Sequence, residues 1–320
     1  MRLLLIALLA MLAPSLQAQT LLQQPVRLET PTGALHGSLM LPKRDTAVPV
    51  ALLIAGSGPT DRDGNNPDAH NDALKRLAQT LARLGVASVR YDKRGIAASR
   101  PAAPDERDLS VEGYVEDAVG WVRQLRQDAR FASVILIGHS EGALIASLAA
   151  PVAQAEAVIS IAGTGEPVDI LLRDQLQGRL PPPLLATSFY LLDELKAGRQ
   201  HADIPPPLQA LFRPSVQPYL ISLFRQDPAE AFAALQMPAL IIQGRNDIQV
   251  SVADAKALHR AKPDAELALV DGMNHVLRIV PAERNRQMAS YNDPSLPIAR
   301  ALGEHIGRFL RTHGLLPPSS

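Results

Sequence analysis

From residue 48 onward the chain alternates short, unbroken apolar runs with stretches of helical period, and few folds accept that pattern. The apolar runs are residues 48–55, 86–91, 133–138, 157–162, 239–243 and 266–270. Between them, residues 72–84 carry Leu74, Leu77, Leu81 and Leu84 on one stripe, ended by Gly85. Residues 115–125, 141–150, 252–261 and 298–310 read as helices for the same reason. Strands apolar on both faces and alternating with helices predict a parallel sheet covered on both sides. Ahead of them, residues 25–29 and 34–41 flank Pro31-Thr32-Gly33 and read as an antiparallel hairpin. The expected fold class is therefore α/β, a mostly parallel doubly wound sheet with an N-terminal hairpin.

Residues 164–236 break the alternation. Two proline triplets, 181–183 and 205–207, flank helix-like pieces at 188–196 and 217–224. So long a structureless loop would be unusual, and a helical cap inserted between two strands is expected. The division is residues 19–163 and 237–320 for the core and 164–236 for the cap. Residues 1–18, with Met1-Arg2 before the apolar run 3–12 and Ala18 before Gln19, have the pattern of a secretory signal peptide. The run is too short for a comfortable bilayer span, a retained anchor being the alternative. A periplasmic or extracellular protein without stable membrane anchoring follows. The 320 residues include no cysteine, which removes disulfides, thiolate metal sites and cysteine nucleophiles. Thirty-two Lys and Arg balance 32 Asp and Glu, leaving no electrostatic footprint for nucleic acid or an anionic membrane.

Gly138-His139-Ser140-Glu141-Gly142 follows one predicted strand and opens a helix. That context makes Ser140 a candidate nucleophile, exposed on a strained turn, with a helix N-terminus behind it favouring negative charge. A serine needs a base. Of eight histidines, His275 lies in Asp271-Gly-Met-Asn-His275, straight after the last predicted strand, where loops line the site of an open α/β sheet. His139 reads as a packing residue turned away from Ser140. Asp247, after strand 239–243 and 28 residues before His275, is the favoured acid. Asp271 is its rival, and Asp254 reads as surface. Two backbone N–H groups, of Ser57 in Gly56-Ser57-Gly58 and of Glu141, are the candidates for an oxyanion hole.

With these residues in place, the chain from about Val48 resembles the serine-triad α/β-hydrolase superfamily, most of all its bacterial carboxylesterase and serine-aminopeptidase-like branch. The resembling pieces are Gly56-Ser-Gly-Pro-Thr-Asp-Arg-Asp-Gly-Asn65, Tyr91-Asp-Lys-Arg-Gly95, the Ser140 pentapeptide, Gln243-Gly-Arg-Asn-Asp247 and Gly272-Met-Asn-His275. The resemblance implies an α/β-hydrolase fold with Asp92 and Arg94 bracing the loop near the oxyanion hole. It also implies ester hydrolysis through an acyl-enzyme with Ser140, His275 and Asp247, on a small-molecule ester and without a metal or organic cofactor. Many relatives have His-Gly where Ala55-Gly56 stands here, and a second glycine where Ile96-Ala97 stands. An aminopeptidase or amidase on the same residues, and a catalytically silent ligand-binding module, are the alternatives. An aminopeptidase needs a carboxylate for the substrate's amine, and the cap holds Glu166, Asp169, Asp174, Asp193, Glu194, Asp203, Asp227 and Glu230. Its apolar stretches 184–185, 189–192 and 219–224 either line an acyl pocket or pack the cap onto the core.

Overall fold

The computed structural model describes residues 21–317, so the signal-peptide reading of residues 1–18 and the end of the Pro-Ser tail lie outside the described residues. The strands are β1 (Leu22–Thr30), β2 (Gly33–Leu41), β3 (Val48–Ile54), β4 (Ala87–Tyr91), β5 (Phe131–His139), β6 (Ala157–Ile161), β7 (Ala239–Gly244) and β8 (Glu266–Val270). They form one sheet in the order β1-β2-β4-β3-β5-β6-β7-β8. β1 and β2 pair antiparallel as the N-terminal hairpin, β2 joins β4 antiparallel, and every later pairing is parallel.

The helices are α1 (Ala73–Leu84), α2 (Val111–Arg126), α3 (Glu141–Ala153), α4 (Val168–Leu176), α5 (Pro182–Lys196), α6 (Gln209–Phe212), α7 (Gln217–Phe224), α8 (Pro228–Ala233), α9 (Val252–Ala261), α10 (Arg284–Ser290) and α11 (Arg300–Thr312). Side chains alternate across the sheet. Val50, Leu52 and Ile54 enter one core layer with Trp121 of α2 and Ile145 of α3. Ala51 and Leu53 enter the other, with Leu77 and Leu81 of α1 and Ile306 and Phe309 of α11. This two-sided burial is why β3 is apolar throughout.

Several boundaries differ from the sequence reading. α2 starts at Val111, because Ser110 caps it through the Gly113 N–H (3.0 Å) and Ser222 Oγ accepts the Val111 N–H (3.0 Å). α3 runs through Pro151 to Ala153, its apolar packing outweighing the missing N–H. α11 starts at Arg300, two residues late, and α10 was not legible. In the stretch between β6 and β7, Pro181 and Pro182 open α5 rather than merely breaking structure. The apolar side chains of α5, α7 and α8 join the layer under α2 and α3. Among the described residues no helix is long and apolar enough to cross a membrane.

Candidate active site

Ser140 sits between β5 and α3 with φ 55° and ψ −125°, a conformation that L-residues rarely adopt. Close packing imposes it. A Cβ on Gly138 would lie 2.1 Å from the Gly142 carbonyl oxygen, and one on Gly142 would lie 2.2 Å from that of Ile54. Only glycine fits on either side, and the Ser140 N–H donates to Ile161 O (2.9 Å) to hold the turn against β6.

His275 and Asp247 arrive from the loops after β8 and β7. The imidazole Nδ1–H donates to Asp247 Oδ2 at 2.8 Å, which leaves Nε2 as the basic nitrogen. The Asp247 side chain is fully buried. Burial alone would raise its pKa, but His275 and the N–H groups of Val250 and Gln249 outweigh burial and hold it below the ordinary carboxylate value. Ser140 and His275 face one cavity of about 170 Å³, also lined by Gly56, Ser57, Asn71, Gln249 and Tyr291. No hydrogen bond joins their side chains among the described residues.

The readings of His139, Asp254 and Arg94 need correction. His139 does not turn away from the site. It lines the same cavity, donates from Nε2 to the His275 carbonyl (2.8 Å) and packs its ring 4.8 Å from that of His275. Burial, then the neighbouring imidazole, lowers its pKa to about 4, so it is neutral. Asp271 is exposed and pairs with Arg245 (2.7 Å). Asp254 is buried rather than at the surface, accepting the Gly165 N–H (3.0 Å) and capping α9 with Ser251. Asp92 braces the loop after β3, accepting from Arg62 N (2.8 Å) and Nη2 (2.6 Å), but Arg94 instead grips Asp117 of α2.

Gly56 packs onto the serine, since a Cβ there would meet Ser140 Cβ at 3.1 Å. Ser57 follows Gly56 and Glu141 follows Ser140, so the N–H groups of Ser57 and Glu141 belong to the residues next to this contact. Neither donates to a protein acceptor among the described residues. Sequence reasoning missed Lys93, Gln249 and Tyr291. Tyr291 OH accepts from Gln249 Nε2 at 2.9 Å, forming a polar wall. Its only signal was the unassigned stretch between His275 and the last helix. Among the described residues no group of three His, Asp or Glu could hold a metal ion.

A mostly parallel sheet bearing this strained serine turn defines a class. Residues 51–290 match the alpha/beta hydrolase family, and the chain belongs to it. Among curated relatives, esterase EstD of Thermotoga maritima is 29% identical over 250 residues, 76% of this chain but 58% of its own length. Solved structures share the fold. Est1E of Butyrivibrio proteoclasticus has a TM-score of 0.57 at 14% identity, covering 89% of this chain and 98% of its own. The esterase domain of a Rhodothermus marinus protein has 0.56 at 18%, covering 91% and 98%.

Proposed function

We propose that this protein is an exported serine hydrolase that cleaves short carboxylic esters through an acyl-enzyme. Ser140 Oγ attacks the ester carbonyl while His275 Nε2 takes its proton, then returns it to the leaving alcohol. Asp247 fixes the tautomer and stabilises the imidazolium, and the N–H groups of Ser57 and Glu141 receive the oxyanion. Water then repeats the sequence to release the acid. The observation that carries this reading is the buried Asp247–His275 bond (2.8 Å) opening onto the cavity that holds Ser140.

Esters are favoured over aminoacyl amides because, among the described residues, no aspartate or glutamate lines that cavity. A substrate ammonium would enter it unpaired. The name of the Thermotoga relative supports the same choice. Export rests on the leader-like residues 1–18, and predicts a mature N-terminus near Gln19.

A fluorophosphonate probe should label the wild type and not Ser140→Ala, and Ser140→Ala should lose about 10⁴- to 10⁶-fold in kcat on p-nitrophenyl butyrate. Retention of a tenth of the activity would remove Ser140 as nucleophile. Faster turnover of alanine p-nitroanilide than of the butyrate ester would instead favour a peptidase.

A further inference from the structure

Behind the proposed oxyanion hole lies a charge that the triad chemistry does not use. Lys93, just after β4, is 1% exposed. Its ammonium donates to the Gly56 carbonyl, stands 3.6 Å from Glu141 Oε1 and lies 5.1 Å from the centre of the Tyr114 ring. Tyr114 packs in turn against Tyr219 of α7, 5.6 Å between tilted rings, and the side chains of the Lys93–Glu141 pair are buried. Glu141 is buried, and its Oε1 has no hydrogen-bond partner among the described residues.

Holding two ions out of water costs several kcal/mol each, and apolar residues of similar volume often serve stability as well or better. Stability is therefore a weak reason for the pair. Its position offers a better one, because it touches both halves of the hole. In a trans peptide the carbonyl and the following N–H point in opposite directions. A cation gripping the Gly56 oxygen from below thus turns the Ser57 N–H upward, and it polarises that peptide into a stronger donor. The partner carboxylate belongs to Glu141, whose own N–H is the second donor.

We propose that Lys93 is a positioning residue for acyl transfer: through the Gly56 carbonyl and the Glu141 carboxylate it sets the two oxyanion donors in register. The proposal rests on the serine-hydrolase reading above. It predicts an effect on the transition state rather than on substrate binding.

The test compares wild type, Ser140→Ala, Lys93→Met and the double variant Lys93→Met/Glu141→Gln. Each is assayed for p-nitrophenyl butyrate turnover, inhibition by an alkyl trifluoromethyl ketone and thermal unfolding. Lys93→Met should lower kcat about 100-fold, as misplacing an oxyanion donor does, with KM within about threefold. Affinity for the ketone, which mimics the tetrahedral intermediate, should fall in proportion to kcat/KM. The double variant leaves no unpaired buried charge, and should unfold like wild type while showing the same catalytic loss. A folded Lys93→Met or double variant with kcat and ketone affinity within about threefold of wild type would overturn the proposal and leave the serine-hydrolase reading standing. A loss confined to KM would do the same. Activity surviving in Ser140→Ala would remove that reading, and the proposal with it.

Discussion

Asp247 and Asp271 follow adjacent strands, yet only one of them faces the His275 imidazole. Asp247 spends Oδ1 on the Gln249 and Val250 N–H groups (2.8 and 3.0 Å), which leaves Oδ2 fixed for Nδ1–H. Asp271 points into solvent against Arg245. Asp247→Asn should therefore cost about 10⁴-fold in kcat by presenting the wrong tautomer, while Asp271→Asn should stay within about twofold. Ester turnover of the two purified variants checks this, and the opposite ranking would transfer the role. His139 adds a pH dependence of stability. Its folded pKa, about 4, lies below the ordinary imidazole value of 6.5. Between those values the unfolded chain binds the proton and the folded one does not, so stability is present above 6.5 and lost as pH falls toward 4. Urea unfolding at pH 7 and pH 5 should show a smaller loss for His139→Asn than for wild type. Equal losses would mean that this imidazole is not held neutral.

At the scale of elements, the turn from β5 to α3 is where packing is tightest. Gly142 lies so close to β3 that any Cβ would enter the Ile54 carbonyl, and backbone cannot step aside as a flexible side chain does. Gly142→Ala should destabilise the protein by about 3 kcal/mol or more, read from chemical denaturation, although the alanine is an excellent helix former. A loss below about 1 kcal/mol would show that α3 can shift. The same pentapeptide was legible in the sequence because strand, turn and helix are local. The start of α2 was only half legible. Its cap Ser110 is local, but the second acceptor, Ser222, lies 111 residues away on α7.

Across the whole molecule, α5, α7 and α8 belong to the α2–α3 layer, and none of their residues lines the cavity of Ser140. Phe189, Leu191 and Leu192, and the apolar side chains of 219–224, pack into that layer, whereas Tyr190 is exposed. Phe189→Ala should leave the ratio of acetate to butyrate ester turnover within about twofold. Tyr291→Ala opens the cavity wall, and should shift that ratio about tenfold toward the longer acyl group. An unchanged ratio for Tyr291→Ala would place the acyl group elsewhere. Asp169 is the one buried acid of residues 164–236, and it is spent on Lys196 (2.7 Å).

Local and periodic information determined most of this protein by itself. Apolar runs of strand length, helical stripes, the Gly-x-Ser-x-Gly turn and the loops after successive strands were enough for the sheet, its order of layers and the three candidate residues Ser140, Asp247 and His275. Those features depend on the backbone's two side-chain periods and on where parallel strands end. Tertiary structure decided what meets across distance. It set His139 against His275, buried Asp254 under Gly165, turned the apolar faces of α5, α7 and α8 inward and drove Lys93 beneath Gly56. A buried charge beside an apolar strand looks in sequence like any lysine at a strand end. What it serves depends on partners 37 and 48 positions away, which only folding brings within reach.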